Sequence, residues 1–168
     1  MTPEQSHVAD LIRTAFTGVP RPPAGNIAPH ACEDCAALSA ALAPYTAEAL
    51  PDAVIEAEIN ALCHLSPEAF VYYLPAYLLY GLRHFVYHHL PTEMALYTLL
   101  PRAEDEANEE MADLMRSRLK SFTAEQIQAV DAYLRLAEAD PAFRRYYGAE
   151  LTDGRPRLLR FWEERWSA

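Results

Sequence analysis

A chain of 168 residues, 51% of them hydrophobic, is long enough to bury a core without disulfides, and its formal net charge of −10 excludes a general nucleic-acid binder, which needs a basic face. Charged and polar residues interrupt every apolar run, which excludes a membrane span, and the first residues, MTPEQSHVADLIRTAF, lack the basic start and cleavage site of a signal peptide. The expectation is a cytoplasmic protein whose three cysteines are thiols or metal ligands rather than a secreted disulfide framework.

Thr2-Pro3-Glu4-Gln5 combines a capping residue, a proline fit for the first helical turn and a glutamine that can bond back to the cap. Val8, Leu11, Ile12, Ala15 and Phe16 then share one face, so a first amphipathic helix is expected to end at Gly18. Prolines at 20, 22, 23 and 29 exclude regular structure from the following loop. A short helix is predicted from Cys32 to Ala43, and another from about Pro51 to Cys63 with Val54, Ile55, Ile59 and Leu62 inward.

The segment 66–89, SPEAFVYYLPAYLLYGLRHFVYHH, is apolar or aromatic on nearly every side and reads as the buried axis of the molecule. Ser66 caps it, Pro67 opens it, and Pro75 predicts a kink or a break at Leu74. A short helix then runs from Thr92 to Leu100, and a longer one from Glu104 to Lys120 has Met111, Leu114, Met115, Leu119 and Phe122 on its inner stripe. Thr123-Ala124-Glu125-Gln126 starts another helix, Asp140-Pro141 opens a short turn, and Pro156 opens a final helix bearing Leu158, Leu159, Trp162 and Trp166. No stretch alternates with period two. The fold class is all-α, a single compact domain of about seven or eight helices around a proline-kinked axial helix.

Three constellations carry candidate chemistry. His30-Ala31-Cys32-Glu33-Asp34-Cys35 places two thiols on a tight turn with a histidine before them, a set that can hold one zinc ion. A closed site needs a fourth ligand, and Cys63, His64, His84 or His88 can supply it if the axial helix lies alongside; His84 is taken as that ligand. A redox role for the pair is opposed by the charges of Glu33 and Asp34 and by the lack of any βαβ pattern. Tyr73, Tyr77, Tyr80, His84 and Tyr87 recur at spacings of four and three, so the tyrosines can line a ligand pocket or simply pack in the core. Glu106, Glu109, Glu110 and Asp113 belong to an acidic run that is either a solvated helix face or a docking surface for a basic partner, while Glu56 and Glu58 sit two apart and do not share a helix face.

The motifs His30-x-Cys32-x-x-Cys35, Ala15-Phe16-x-Gly18-Val19-Pro20 and Leu65-Ser66-Pro67-Glu68-Ala69-Phe70-x-Tyr72-Tyr73-Leu74-Pro75-Ala76-Tyr77 resemble a family of small bacterial helical proteins of unknown function. The resemblance implies a bacterial helical domain and brings no activity, cofactor or catalytic residue. With no phosphate loop, nucleophile elbow or His-Glu-x-x-His present, no catalytic residue is assigned. The expected function is that of an acidic protein-binding module, such as an immunity or inhibitor protein that neutralises a toxin or another basic partner, with no nucleic-acid or membrane partner. The alternative is a zinc-binding or small-ligand-binding protein, or an enzyme, built on the His30/Cys32/Cys35 loop.

Overall fold

The computed structural model describes residues 1–85 and 90–165, and among them there are ten α-helices and no strand. The helix starts follow the capping chemistry. Helix α1 (Pro3–Phe16) opens on a reciprocal box in which Gln5 N donates to Thr2 Oγ1 (3.2 Å) and Thr2 N to Gln5 Oε1 (2.7 Å). Its chain direction then changes at Gly18, whose φ of 78° suits a residue without a Cβ. One turn of 3-10 helix (Ala24–Asn26) lies within the proline-rich loop, and α2 (Glu33–Leu42) follows.

The helix predicted over 51–63 is two pieces, α3 (Asp52–Ala57) and α4 (Ala61–His64), separated at Glu58, whose backbone (φ −106°, ψ 52°) leaves the helical region. Helix α5 (Pro67–Arg83) is the axis: Ser66 Oγ accepts from Ala69 N at 3.1 Å, and thirteen of its seventeen residues are buried. It continues through Pro75, so the predicted break at Leu74 does not occur. Burial on almost all sides favours one continuous helix over two pieces that would each expose backbone groups inside the core. The expectation that the helix reaches His89 is corrected at its end, where His84 is the C-cap; Tyr87, His88 and Trp166 lie outside the described residues.

Helix α6 (Leu90–Leu99) precedes α7 (Ala103–Ala107) and α8 (Glu109–Lys120), which replace the single helix predicted over 104–120. Asn108 divides them by turning its side chain into a cap, with Oδ1 accepting from Glu110 N (3.1 Å) and Met111 N (3.4 Å). Helix α9 (Ala124–Ala139) opens on the predicted Thr123/Gln126 box. Asp140 caps α10 (Pro141–Glu164), which runs on through Pro156 as one helix where two short ones were expected.

The helices surround one core: α1 packs on α5 and α9, α9 on α10, and α5 on α6 and α8. No helix among the described residues is long and apolar enough to cross a membrane.

Candidate metal site and its surroundings

The loop before α2 is shaped by local hydrogen bonds and then fastened to the axial helix. Cys32 is the N-cap of α2, and its extended backbone (φ −139°, ψ 161°) lets Sγ accept from Cys35 N at 3.3 Å while its own N donates to His30 O at 2.9 Å. A Cys-x-x-Cys pair at a helix start therefore returns both sulfurs to one side. Farther back, Ala28 N donates to Ser39 Oγ (3.2 Å), Ser66 N to Ile27 O (2.9 Å) and Ser66 Oγ to Asn26 O (2.6 Å). Ser66 thus both caps α5 and holds the loop. The sequence signals only the cap, because its partners are some forty residues away in the chain.

The ligand atoms of His30, Cys32 and Cys35 all lie within 4.8 Å of one another. Two sulfurs and an imidazole nitrogen on one tetrahedral zinc ion stand about 3.5–3.8 Å apart, given Zn–S near 2.3 Å and Zn–N near 2.0–2.1 Å. Closing the set around an ion requires movements of about 1 Å at most. Cys35 is buried, whereas His30 and Cys32 face solvent, so the site has a fixed floor and an open side. The hydrogen bond to Cys32 pushes the Cys35 thiol above its ordinary range; burial and the negative charges of Cys32 and Asp34 push it the same way. A cation between the sulfurs reverses that preference by stabilising both thiolates. The three residues can hold a metal ion.

His84, taken from sequence as the fourth ligand, is not among them. Ser66, which fastens the loop, opens α5, and His84 closes it, about 25 Å away for a helix of seventeen residues. At that end its Nε2 lies 3.7 Å from Asp52 Oδ2, and its ring stacks on Tyr80 with centroids 4.5 Å apart. Cys63 and His64, on α4, also fall outside the group.

Among the described residues, the tyrosines of the stripe direct their hydroxyls to hydrogen-bond partners within the fold. Tyr73 Oη donates to the carbonyls of Leu42 (3.1 Å) and Tyr45 (3.3 Å), Tyr77 Oη to Glu58 O (3.1 Å) and Tyr80 Oη to Glu56 Oε1 (2.8 Å). All three are buried, and burial pushes their ionisation upward. They stitch the axial helix to the segment 42–58, which has little regular structure to satisfy its own carbonyls. Tyr73→Phe is expected to destabilise the fold by about 1 kcal/mol, measured by urea denaturation, because the two carbonyls lose this donor. Tyr87, the remaining member of the proposed pocket, lies outside the described residues.

The acidic run is divided between α7 and α8. Asp113 pairs with Arg116 at 2.6 Å; Glu109 and Glu110 are exposed in the first turn of α8, where the helix dipole favours them; of Glu106 only the backbone is described.

No curated protein and no solved structure matches the chain. The family model of a family of unknown function, DUF6714, matches residues 4–166, and the chain belongs to that family.

Proposed function

We propose that this protein binds zinc, with His30, Cys32 and Cys35 as protein ligands and the fourth coordination position directed toward solvent. One observation carries the reading: three donors on a tight turn already lie within 4.8 Å of one another. The mixed nitrogen and sulfur set suits zinc better than magnesium or calcium, which prefer oxygen. An open fourth position admits water or a side chain of another molecule, as in zinc sites that act rather than only support a fold. The test is elemental analysis of untagged protein, prepared under reducing conditions in chelator-free buffer and supplied with zinc before desalting. About one equivalent is expected, and less than about half an equivalent rejects the reading.

A second reading, recognition of a basic protein such as a toxin, is supported by the exposure of Glu109 and Glu110 beside a net charge of −10. Glu109→Lys with Glu110→Lys is expected to weaken capture of such a partner from native cells at least about tenfold, at a cost of about 1–3 kcal/mol in stability because the helix dipole favours acidic residues in that turn. Capture that is indifferent to the reversal removes this face from consideration.

A further inference from the structure

A second site emerges around Arg118. Its side chain points into the molecule from α8 and is 5% exposed. Nη2 donates to Leu62 O and Cys63 O, both at 2.9 Å, and the guanidinium lies 4.6 Å from the centroid of the Phe70 ring. These contacts cap the short helix α4 and solvate part of the cation. They do not neutralise it. Among the described residues no carboxylate pairs with Arg118, and its buried Nε has no acceptor. A guanidinium this deep without a counter-charge is costly, and burial pulls its ionisation below the usual value.

Arg118 forms part of the wall of a cavity of about 80 Å³ where α4, α6, α7, α8 and α10 meet. Most of the remaining wall is apolar, including Leu100, Leu114, Met115 and Phe161, while Cys63 contributes a thiol. The other ionic residues on the wall are Arg102 and Asp105. They satisfy each other: Asp105 Oδ2 accepts from Arg102 N at 2.8 Å and lies 3.6 Å from Arg102 Nε, and Glu104 adds a further contact to Arg102 at 3.1 Å. Among the described residues, the uncompensated charge of the cavity is therefore that of Arg118. Exposed Tyr97 and Met111 lie at its rim.

We propose that this cavity binds a small monocarboxylate of about two to four carbons, its carboxylate on the free Arg118 donors and its alkyl part against the leucine, methionine and phenylalanine wall. The volume accommodates the carboxylate and its first carbon, about three or four heavy atoms, and a longer alkyl part extends toward the rim at Tyr97 and Met111. A monoanion matches the single unbalanced charge, whereas a phosphate dianion would face the carboxylate of Asp105 with one charge in excess. This inference is independent of the zinc reading, because it shares no residue with the His30/Cys32/Cys35 group.

The experiment titrates acetate, propionate and butyrate into the full chain in chloride buffer, following the amide resonances of Cys63 and Thr98 and the Nε–H resonance of Arg118. Saturable shifts with Kd on the order of 1 mM are expected, tightening from acetate to butyrate as the alkyl part fills the wall. Arg118→Met should weaken binding at least about tenfold. That substitution also removes the donor to two carbonyls, so Ala112→Leu provides a second variant: it fills the cavity from its wall while keeping Arg118, and it too should abolish the shifts. A further readout is alkylation of Cys63 by iodoacetamide in a Cys32→Ser, Cys35→Ser chain, which butyrate should slow. Absence of saturable shifts in the unmodified chain, binding that survives Ala112→Leu, or inorganic phosphate binding as tightly as butyrate overturns the proposal.

Discussion

Cys35→Ser is expected to lose zinc, with affinity falling at least about a hundredfold, whereas His84→Asn should keep it. Cys35 is the buried member of the group, so its sulfur sets the depth at which an ion sits, and a serine hydroxyl is a far poorer ligand at neutral pH. His84 sits at the opposite end of the axial helix beside Asp52 and contributes nothing to the group. The pair of variants thus separates the ligand set read from sequence from the one assembled by the fold. Zinc should raise the thermal midpoint by mass action, worth about 4 kcal/mol at a thousandfold excess over Kd. Removing it with a chelator should lower the midpoint without unfolding the chain, because the core of α1, α5, α9 and α10 is built from apolar contacts that do not involve the loop. Zinc retained by Cys35→Ser, or lost equally in His84→Asn, would sink the assignment.

Gly81→Ala is expected to destabilise the protein by about 1–3 kcal/mol, and Tyr133→Phe should remove most of that cost. Gly81 lies in the last turns of α5, where alanine is ordinarily preferred over glycine by roughly 0.5–1 kcal/mol. Space overrides propensity here. A Cβ at this position would stand 2.5 Å from Tyr133 Oη, while its next neighbours, the side-chain atoms of Thr92, are at an ordinary 3.5 Å. The Tyr133 hydroxyl is itself fully buried and has no hydrogen-bond partner among the described residues, and burial pushes its ionisation upward. Tyr133→Phe alone should therefore be neutral or stabilising, in contrast to Tyr73→Phe, whose hydroxyl serves two carbonyls. In the double variant the alanine fits and its helix preference is recovered. Urea denaturation of the four chains gives the coupling directly; additivity within about 0.5 kcal/mol would show that the two sites do not meet as described.

The helices and their caps were legible because their determinants are local. Thr2, Ser66, Thr123 and Asp140 each accept from backbone amides two or three residues ahead, and such reach is visible in a string of letters. Where local signals competed, boundaries moved. Asn108 interrupted an acidic helix by capping its second half, and the prolines at 75 and 156 stayed inside longer helices than their chemistry suggests. The turn that gathers His30, Cys32 and Cys35 was legible too, since a cysteine N-cap fixes it within six residues.

Arg118 shows what a residue's chemical type can hide. Its charge and its place in the last turn of α8 suit the helix dipole. Its spacing of four from Leu114 and three from Met115 put it instead on the inner stripe, and the structure buries it there.

By itself, then, the sequence determined the all-α class, the buried axial helix, most of the capped helix starts and a two-cysteine turn with its histidine, all of which depend on neighbours within about two helical turns. The tertiary structure alone decided that His84 faces Asp52, that Tyr73, Tyr77 and Tyr80 tie α5 to the segment 42–58, and that Arg118 lines a cavity with no counter-ion among the described residues. Those outcomes join residues roughly twenty to sixty positions apart. They follow from how helices pack around one core, which periodicity along a single helix does not encode.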